Sequence, residues 1–229
     1  MQEQRPEAGG GGAKLQIREY KESLIIDAAA DLFYERGFQR TTLDDIAAAL
    51  GVTKPFIYTY FKSKYSILEE LFDRVYDDLH DAVTEFRKSA DPDPVHRFET
   101  FVSAYIRKNL ERRRFSAIML EEEKNLSPEK IADIRGKQHD FDRLLTSLVV
   151  DGVRAGVFRV DDASLASLAI SGMVRWTHRW YSPTGRLSAD ELCEKFTSTA
   201  LRIVGWTGSR PTDAAPARGG RRNRAGKKD

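Results

Sequence analysis

The sequence predicts an all-α fold of about nine helices. Three observations carry this prediction. Apolar residues recur at three and four residues along most of the chain, helix caps precede these segments, and no segment has the alternation of a run of strands. In the first predicted helix, from about Arg18 to Arg36, the apolar side chains follow this spacing, and Gly37 ends the helix as a C-cap.

Each later helix has its own start signal. Two begin with a cap followed by proline, at Asp93-Pro94 and Ser127-Pro128, where the missing N–H of proline costs nothing. The other predicted caps are Thr42 with Asp45, Ser63, Asp161 or Asp162, and Ser188 with Glu191. The predicted helices cover about 18–36, 42–50, 54–60, 63–88, 93–112, 127–155, 161–181 and 188–206, and a shorter one before 127 holds Ile118 and Leu120 and ends near Lys124.

Composition divides the chain into four segments. A glycine run at 9–12 predicts a flexible arm over residues 1–17, and a Gly/Pro/Ala/Arg-rich stretch predicts a disordered basic tail over 207–229. The three-helix head is expected over 18–64 and a larger helical domain over 65–206. The tail carries seven basic and two acidic residues, so it either adds weak attraction to a polyanion or simply solubilises the chain.

The overall composition is that of a soluble globular protein, with 41% hydrophobic and 31% charged residues and a net charge of +2. No apolar run approaches the roughly 20 residues that a membrane span needs. The N-terminus has no apolar h-region. The single cysteine, Cys193, excludes an internal disulfide and fits a reducing cytoplasm. We therefore expect a cytoplasmic protein that does not act at a membrane.

The stretch Gly51 to Lys64, GVTKPFIYTYFKSK, predicts the recognition half of a helix-turn-helix. Two short helices meet at Gly51, and their apolar positions point inward: Ile46, Ala47, Leu50, Val52, Ile57 and Phe61. The aromatic residues that remain cannot all point inward from one helix, although Phe56 or Tyr58 is expected to be partly core. A recognition helix places such side chains in the major groove of DNA.

The predicted DNA contacts follow from side-chain chemistry. Thr53 caps the helix and reaches a phosphate, Lys54 contacts phosphate or guanine, and Phe56 or Thr59 packs on a thymine methyl group. Lys64 lies in the first turn of the next helix, where free N–H groups already favour an anion. The full predicted set is Thr42, Thr53, Lys54, Phe56, Tyr58, Thr59, Tyr60 and Lys64.

The stretch TTLDDIAAALGVTKPFIYTYFKSK, residues 41–64, resembles the signature of the TetR family of transcriptional regulators. The resemblance covers about residues 18–70. One departure is Pro55, where glycine is commoner, and it should stiffen the start of the recognition helix. The resemblance implies a homodimer that binds a palindromic operator in double-stranded DNA, usually as a repressor. It also implies that a small molecule in the larger domain releases the operator.

A second stretch, SGMVRWTHRWYSPTGRLS at 171–188, has two interpretations. Arg175 and Arg179 share one helix face, and Trp176 and Trp180 share the adjacent one. Tryptophan and arginine are enriched at interfaces, so the cluster can belong to a dimer seam. Paired arginines also suit phosphate. The stretch is similar to a TetR branch that senses acyl-CoA thioesters, and this similarity implies such an effector; a drug or free lipid is the alternative.

Two further sets complete the site predictions. Apolar residues of the interior helices could line a pocket for an acyl chain, and they equally suit an ordinary hydrophobic core. They are Phe101, Tyr105, Ile118, Met119, Phe141, Leu144 and Leu148. The last predicted helix carries a stripe that should bury a two-fold interface with the helix of Trp176: Leu192, Phe196, Thr199, Ala200 and Ile203.

The sequence argues against an enzyme. It has no nucleotide-binding glycine loop, no G-x-S-x-G and no C-x-x-C, and its four histidines stand far apart. None of them follows a glutamate by three residues, so the di-metal motif of helical bundles is missing. We expect no catalytic residues, no metal and no cofactor. A non-specific DNA-binder that uses the basic tail remains a rival, which operator specificity would distinguish.

Overall fold

The computed structural model describes residues 10–88 and 91–208. The regular structure of this part of the chain is helical throughout, as predicted. Its α-helices are α1 (Gly10–Arg36), α2 (Leu43–Leu50), α3 (Lys54–Tyr58), α4 (Lys64–Lys88), α5 (Pro94–Glu111), α6 (Arg113–Glu122), α7 (Pro128–Arg154), α8 (Ala163–Arg175), α9 (Thr177–Trp180) and α10 (Ala189–Ile203). A turn of 3-10 helix at Glu123–Asn125 follows α6. The predicted basic tail lies, apart from 207 and 208, outside the described residues.

The predicted N-caps are confirmed except at α3, where Thr53 makes no capping hydrogen bond. Thr42 and Ser188 form capping boxes with the carboxylates of Asp45 and Glu191. The Asp93 side chain accepts hydrogen bonds from the N–H groups of Val95 and His96, and Asp162 rather than Asp161 caps α8. Ser127 caps α7 through the Lys130 N–H. Each cap satisfies N–H groups that have no partner within the helix.

Two helix bounds differ from the predictions. α1 begins at Gly10, so residues 10–17 of the predicted arm are helical, while residues 1–9 lie outside the described part. Most residues from Ala13 to Ile17 are good helix formers, and the helix continues through them in spite of the glycines. The predicted helix 161–181 is divided at Trp176, because Thr177 and His178 side chains bond the carbonyls of Val174 and Arg175.

The buried residues form two hydrophobic clusters. The first, the head cluster, combines α1–α3 and the first half of α4 with Ile118, Leu126 and Ile134 from the larger domain. The second, the domain cluster, fills the space between α5, α7, α8, α10 and the end of α4. α4 thus contributes to both clusters and crosses the predicted boundary at residues 64 and 65, which stays a prediction. No helix of the described ranges is long and apolar enough to span a membrane.

Two glycines of α7 offer a test of the packing in the domain cluster. A Cβ atom on Gly152 would overlap the ring of Phe158, which packs edge-on against Phe98 at 5.2 Å between ring centres. A Cβ on Gly136 would meet no atom within 4 Å. We expect Gly152→Ala to lower the free energy of unfolding by about 1–3 kcal/mol, because overpacking displaces neighbouring side chains.

The matched control is Gly136→Ala in the same helix, which should raise the free energy of unfolding by about 0.5–1 kcal/mol through helix propensity alone. Urea unfolding of both variants measures the two effects. Equal stabilisation by both substitutions would contradict the packing of α7 against Phe158.

Candidate DNA-binding and effector sites

The helix-turn-helix has the predicted inward face. Ile46 and Ile57 are fully buried, and Phe61 is 6% exposed. Gly51 makes the turn with a positive φ of 65°, which glycine adopts without strain. The Val52 N–H then donates to the Ala47 carbonyl oxygen at 3.0 Å, so the chain enters α3 in a fixed direction.

The outward face of α3 carries fewer free side chains than predicted. Tyr58 is 52% exposed, and Thr53 and Thr59 are exposed beside it. Phe56 and Tyr60 are half-buried in the head cluster with their ring centres 5.2 Å apart. Thr53 stands at the N-cap position but makes no capping hydrogen bond, contrary to the prediction, so its hydroxyl is available to a phosphate. The hydroxyl of Thr59 donates to the Pro55 carbonyl oxygen at 3.2 Å.

Two residues that are predicted to contact DNA, Thr42 and Lys54, form bonds within the head instead. The hydroxyl of Thr42 bonds Asp45 as part of its capping box. The ammonium group of Lys54 lies 2.7 Å from a carboxylate oxygen of Asp44, and this hydrogen bond raises the pKa of the lysine. Both side chains remain at the surface, where an exposed ion pair contributes little and a phosphate can replace the carboxylate.

Lys64 has a different role from the one predicted. Its ammonium group donates to the carbonyl oxygens of Phe38, Gln39 and Thr41, at 2.9, 3.1 and 3.0 Å. It also lies 4.6 Å from the centre of the Phe38 ring. An ammonium group has three N–H donors, so all three are used. Lys64 therefore fastens the start of α4 to the turn between α1 and α2, and a phosphate contact would have to displace these bonds.

The larger domain contains an effector-sized cavity of about 350 Å³ between α4, α5, α6, α7 and α8. This volume lies within the usual range of small-molecule sites. Five of the nine predicted ligand-binding residues line it: Phe101, Tyr105, Met119, Phe141 and Arg175. Leu144 is 3% exposed and belongs to the domain cluster instead. α4 supplies lining residues that the prediction missed: Val75, Leu79, Val83 and Phe86. Their apolar spacing is visible in the sequence, but it is equally typical of a helix that packs in a core.

Polar groups meet on one part of the cavity wall. The hydroxyl of Tyr76 accepts a hydrogen bond from the Gln138 amide. The buried hydroxyl oxygen of Tyr105 makes no hydrogen bond of normal geometry, although Arg175 lies near enough to affect its ionisation. Burial raises the pKa of both tyrosines, and the arginine charge opposes that shift. These hydroxyls therefore stay neutral, and they and the guanidinium can donate to a ligand oxygen.

A second, more open space, the outer depression, adjoins the cavity. It is lined by Leu120, Glu121, Gly172, Arg175, Trp176, His178 and Arg179, so Leu120 and Arg175 belong to both the cavity and the depression. Arg179 is exposed and pairs with Glu121 at 3.1 Å. Trp180 lines neither space, and its ring lies 6.0 Å from the ring of Phe196. The predicted Arg/Trp cluster is thus only partly brought together.

The predicted stripe on α10 packs in part within its own subunit, and its role in an interface stays a prediction. Leu192 is 1% exposed and Ala200 is fully buried, because this face of α10 packs within the subunit's own domain cluster. Phe196 and Ile203 are half-buried against the same cluster. Exposed apolar residues stand on α8 and directly after it, where Leu165, Leu168 and Trp176 are 63%, 55% and 60% exposed, and also on α1, where Leu15 and Ile17 are 57% and 55% exposed. Of Trp176 and the five predicted residues of α10, Trp176 alone is largely exposed.

The fold and these sites define a class: an all-helical regulator with a small helix-turn-helix head and a larger domain that can hold an effector. Residues 25–71 match the family described as bacterial regulatory proteins, tetR family. Residues 91–204 match the tetracyclin repressor-like C-terminal domain. The chain belongs to the TetR family. It is a transcriptional regulator and not an enzyme.

Individual proteins agree with this assignment. The HTH-type transcriptional repressor KstR2 of Rhodococcus jostii is 30% identical over 179 residues, which are 77% of this chain and 87% of that one. The crystal structure of PfmR from Thermus thermophilus superposes with a TM-score of 0.71 at 33% identity, covering 78% and 97% of the two chains. AibR, solved with isovaleryl coenzyme A and operator DNA, shares the fold with a TM-score of 0.69 at 23% identity, covering 82% and 100%.

The position of Lys64 can be tested by stability. Lys64→Ala removes three hydrogen bonds from a charged donor, and a single bond of this kind typically contributes about 1.5–3 kcal/mol. Because the ammonium group is only partly buried, water can replace it at some of the carbonyl oxygens. We therefore expect the free energy of unfolding to fall by about 1–3 kcal/mol in total. Thermal or urea unfolding without DNA measures the change.

Lys62→Ala is the matched control for Lys64→Ala. Lys62 is an exposed lysine two residues away, and it forms no ion pair with any residue that the structure describes. The free energy of unfolding of Lys62→Ala should stay within about 0.5 kcal/mol of the wild-type value. If Lys64→Ala were equally neutral, the bonds to the α1–α2 turn would not be structural.

Proposed function

We propose that this protein is a repressor that binds a palindromic operator as a homodimer and leaves it when an acyl-CoA thioester binds. It would act in the cytoplasm, where the operator is. The observation that carries the effector proposal is the wall shared by Leu120 and Arg175, with an apolar cavity on one side and an arginine- and tryptophan-lined depression on the other.

The size of the cavity supports a divided ligand. A volume of about 350 Å³ suits a short or medium acyl group but not a whole coenzyme A molecule. The acyl chain would lie against Phe101, Phe141 and Met119, and each buried methylene group contributes about 0.8 kcal/mol. The coenzyme A portion would then extend past Arg175 into the outer depression.

The charges of the wall support the same arrangement. Arg175 makes no ion pair with a described carboxylate, and a charge at a half-buried position favours an anionic partner. Arg179 stands on the outer side, where a phosphate could replace Glu121 as its partner. The exposed ring of Trp176 offers a stacking surface for a base. AibR, a protein of the same fold, binds isovaleryl coenzyme A and operator DNA in one structure.

DNA contact is proposed for the outward side of the recognition helix. Tyr58, Thr53 and Thr59 are exposed there, with Lys54 and Thr42 at the surface beside them. The half-buried aromatic pair on this helix presents only part of its rings. Tyr58 and Thr53 would donate to phosphates, and Thr59 would contact a base edge.

Coupling between the two sites would pass through α4 and α6. α4 lines the cavity from Val75 onward and begins in the head at Lys64, about 17 Å away at 1.5 Å per residue, where Lys64 fastens it to the α1–α2 turn. α6 lines the cavity with Met119, while Glu122 on the same helix accepts a hydrogen bond from the Phe38 N–H at 3.4 Å. An effector that binds one arrangement of these helices more tightly shifts the population toward it.

One alternative follows from the same geometry. The cavity wall is largely apolar, and Arg175 with the Tyr105 hydroxyl could receive the carboxylate of a free fatty or aromatic acid directly. A drug would fit the apolar part without using the arginine. In either case the outer depression would play no part in effector binding.

The proposed assembly is a dimer through the exposed side of α8. At micromolar concentration the 26.0 kDa chain should sediment as a dimer. Leu168→Glu places a charge in the proposed interface and should shift the protein to monomer, because an unpaired buried charge is costly. Affinity for a two-half-site operator should fall at least about tenfold with it.

Val153→Glu is the control for Leu168→Glu, since Val153 is also exposed (39%) but stands on α7. It should remain dimeric. A dimer that withstands the α8 substitution would place the two-fold interface elsewhere.

The effector prediction is tested on the wild-type protein bound to a labelled operator, found by footprinting the DNA beside its own gene. Acyl- and aryl-CoA thioesters of different length should release the DNA, whereas the matching free acids should not. Anisotropy titration gives the concentration for half release. Release by the free acids at similar concentrations would favour the alternative, and an operator complex untouched by the whole panel would refute the thioester proposal.

Substitutions at the two spaces test the coenzyme A part and the acyl part of the ligand separately. Arg175→Met and Arg179→Met should each raise the half-release concentration of every thioester about tenfold or more, the equivalent of one lost charge-assisted bond. Arg143→Met, an exposed arginine of α7 paired with Asp140, should leave it unchanged. Phe141→Leu should instead reorder the preference among acyl chains.

A further inference from the structure

The first turns of α1 extend the helix beyond the family match, which begins at residue 25. Along α1, Ile25 and Leu32 are buried on the side that faces the head cluster. Lys14, Arg18 and Lys21 continue the same stripe at intervals of four, three and four residues. The stripe therefore changes from apolar to basic where α1 leaves the head cluster.

The basic part of the stripe lies beside the recognition helix. The guanidinium of Arg18 stands 5.7 Å from the centre of the Tyr60 ring, and the ammonium of Lys21 stands 5.8 Å from the centre of the Phe56 ring. These rings belong to α3 and the turn that follows it. Lys14 is one turn further out on the same side and is exposed.

The charges of this stripe are only partly neutralised. Arg18 pairs with Glu22 at 2.8 Å, and Glu19 lies on a different side of the helix. Neither Lys14 nor Lys21 forms an ion pair with any residue that the structure describes. Two free ammonium groups thus flank the side of the head that would approach DNA.

We infer that Lys14 and Lys21 bind the phosphate backbone of the DNA that flanks each half-site, outside the bases that α3 reads. The inference rests on the proposed operator binding and adds a second contact surface to it. Lysine is a flexible point charge, so these contacts add affinity without base preference. Arg18 would contribute less, because Glu22 already neutralises it.

The experiment measures the salt dependence of operator binding by Lys14→Ala and the double variant Lys14→Ala/Lys21→Ala in the full chain. Each lost phosphate contact should reduce the slope of log K against log salt concentration by about one. The ratio of wild-type to Lys14→Ala operator affinity should therefore fall about three- to fourfold between about 50 and 200 mM salt. Arg154→Ala, which removes an exposed charge from the last turn of α7, should leave the slope unchanged.

A second duplex locates the contact. On a duplex without the base pairs outside the palindrome, the wild type should lose affinity, and the wild type, Lys14→Ala and the double variant should bind equally. Unchanged slopes in both variants, or an equal effect on both duplexes, would overturn the inference while leaving operator binding by α3 intact. A wild-type protein that binds no operator would overturn the proposed function as well as this inference.

Discussion

The burial of one helix in two hydrophobic clusters is the constraint on which the rest of this structure depends. Ile67, Leu68 and Leu71 at the start of α4 lie in the head cluster, and Val83 near its end lies in the domain cluster. Leu79 packs against both. Because α4 is continuous over 25 residues, the head cannot move relative to the cavity without moving or bending this helix.

Polar contacts fix the register of α4 against α7. Asp73 accepts two hydrogen bonds from Lys130, at 2.8 and 2.7 Å, and Asp77 pairs with Lys137 at 2.7 Å. The hydrogen bond to Asp77 raises the pKa of Lys137. Such pairs at a partly exposed seam contribute little stability individually. They do disfavour a sliding of one helix along the other, since each carboxylate would lose its cation.

The sequence was most informative where local chemistry decides the structure. Caps such as Ser188 with Glu191 and the turn glycine Gly51 depend on neighbours within a few residues, and the structure confirms them. The inward face of the helix-turn-helix also follows from spacing alone. Spacing did not predict which neighbouring helix, or which subunit, a side chain would face. Leu192 and Ala200 share an apolar stripe, but periodicity cannot tell whether a stripe meets its own subunit or a second one.

The polar contacts of Lys64 and of the cavity residues were likewise beyond what sequence spacing can predict. A lysine in the first turn of a helix predicts an anion, yet its partners are carbonyl oxygens of a turn more than twenty residues earlier in the chain. Tyr76 and Gln138 join the cavity from helices whose pattern indicates core. Only tertiary packing brings them together with Arg175, so their meeting was outside the reach of sequence spacing.

Arg175, which forms no ion pair with a carboxylate of the described residues, is what makes the cavity more than a packing defect. An apolar cavity of this size costs stability, and a half-buried guanidinium without a carboxylate adds a desolvation cost. Replacing the arginine by an apolar side chain would remove the second cost, and filling the cavity would remove the first. A domain that keeps both features is stabilised most by a molecule with an apolar part and an oxygen-rich part. In the proposed function, binding such a molecule would relieve both costs, and its preference for one arrangement of α4 would shift the head through Lys64.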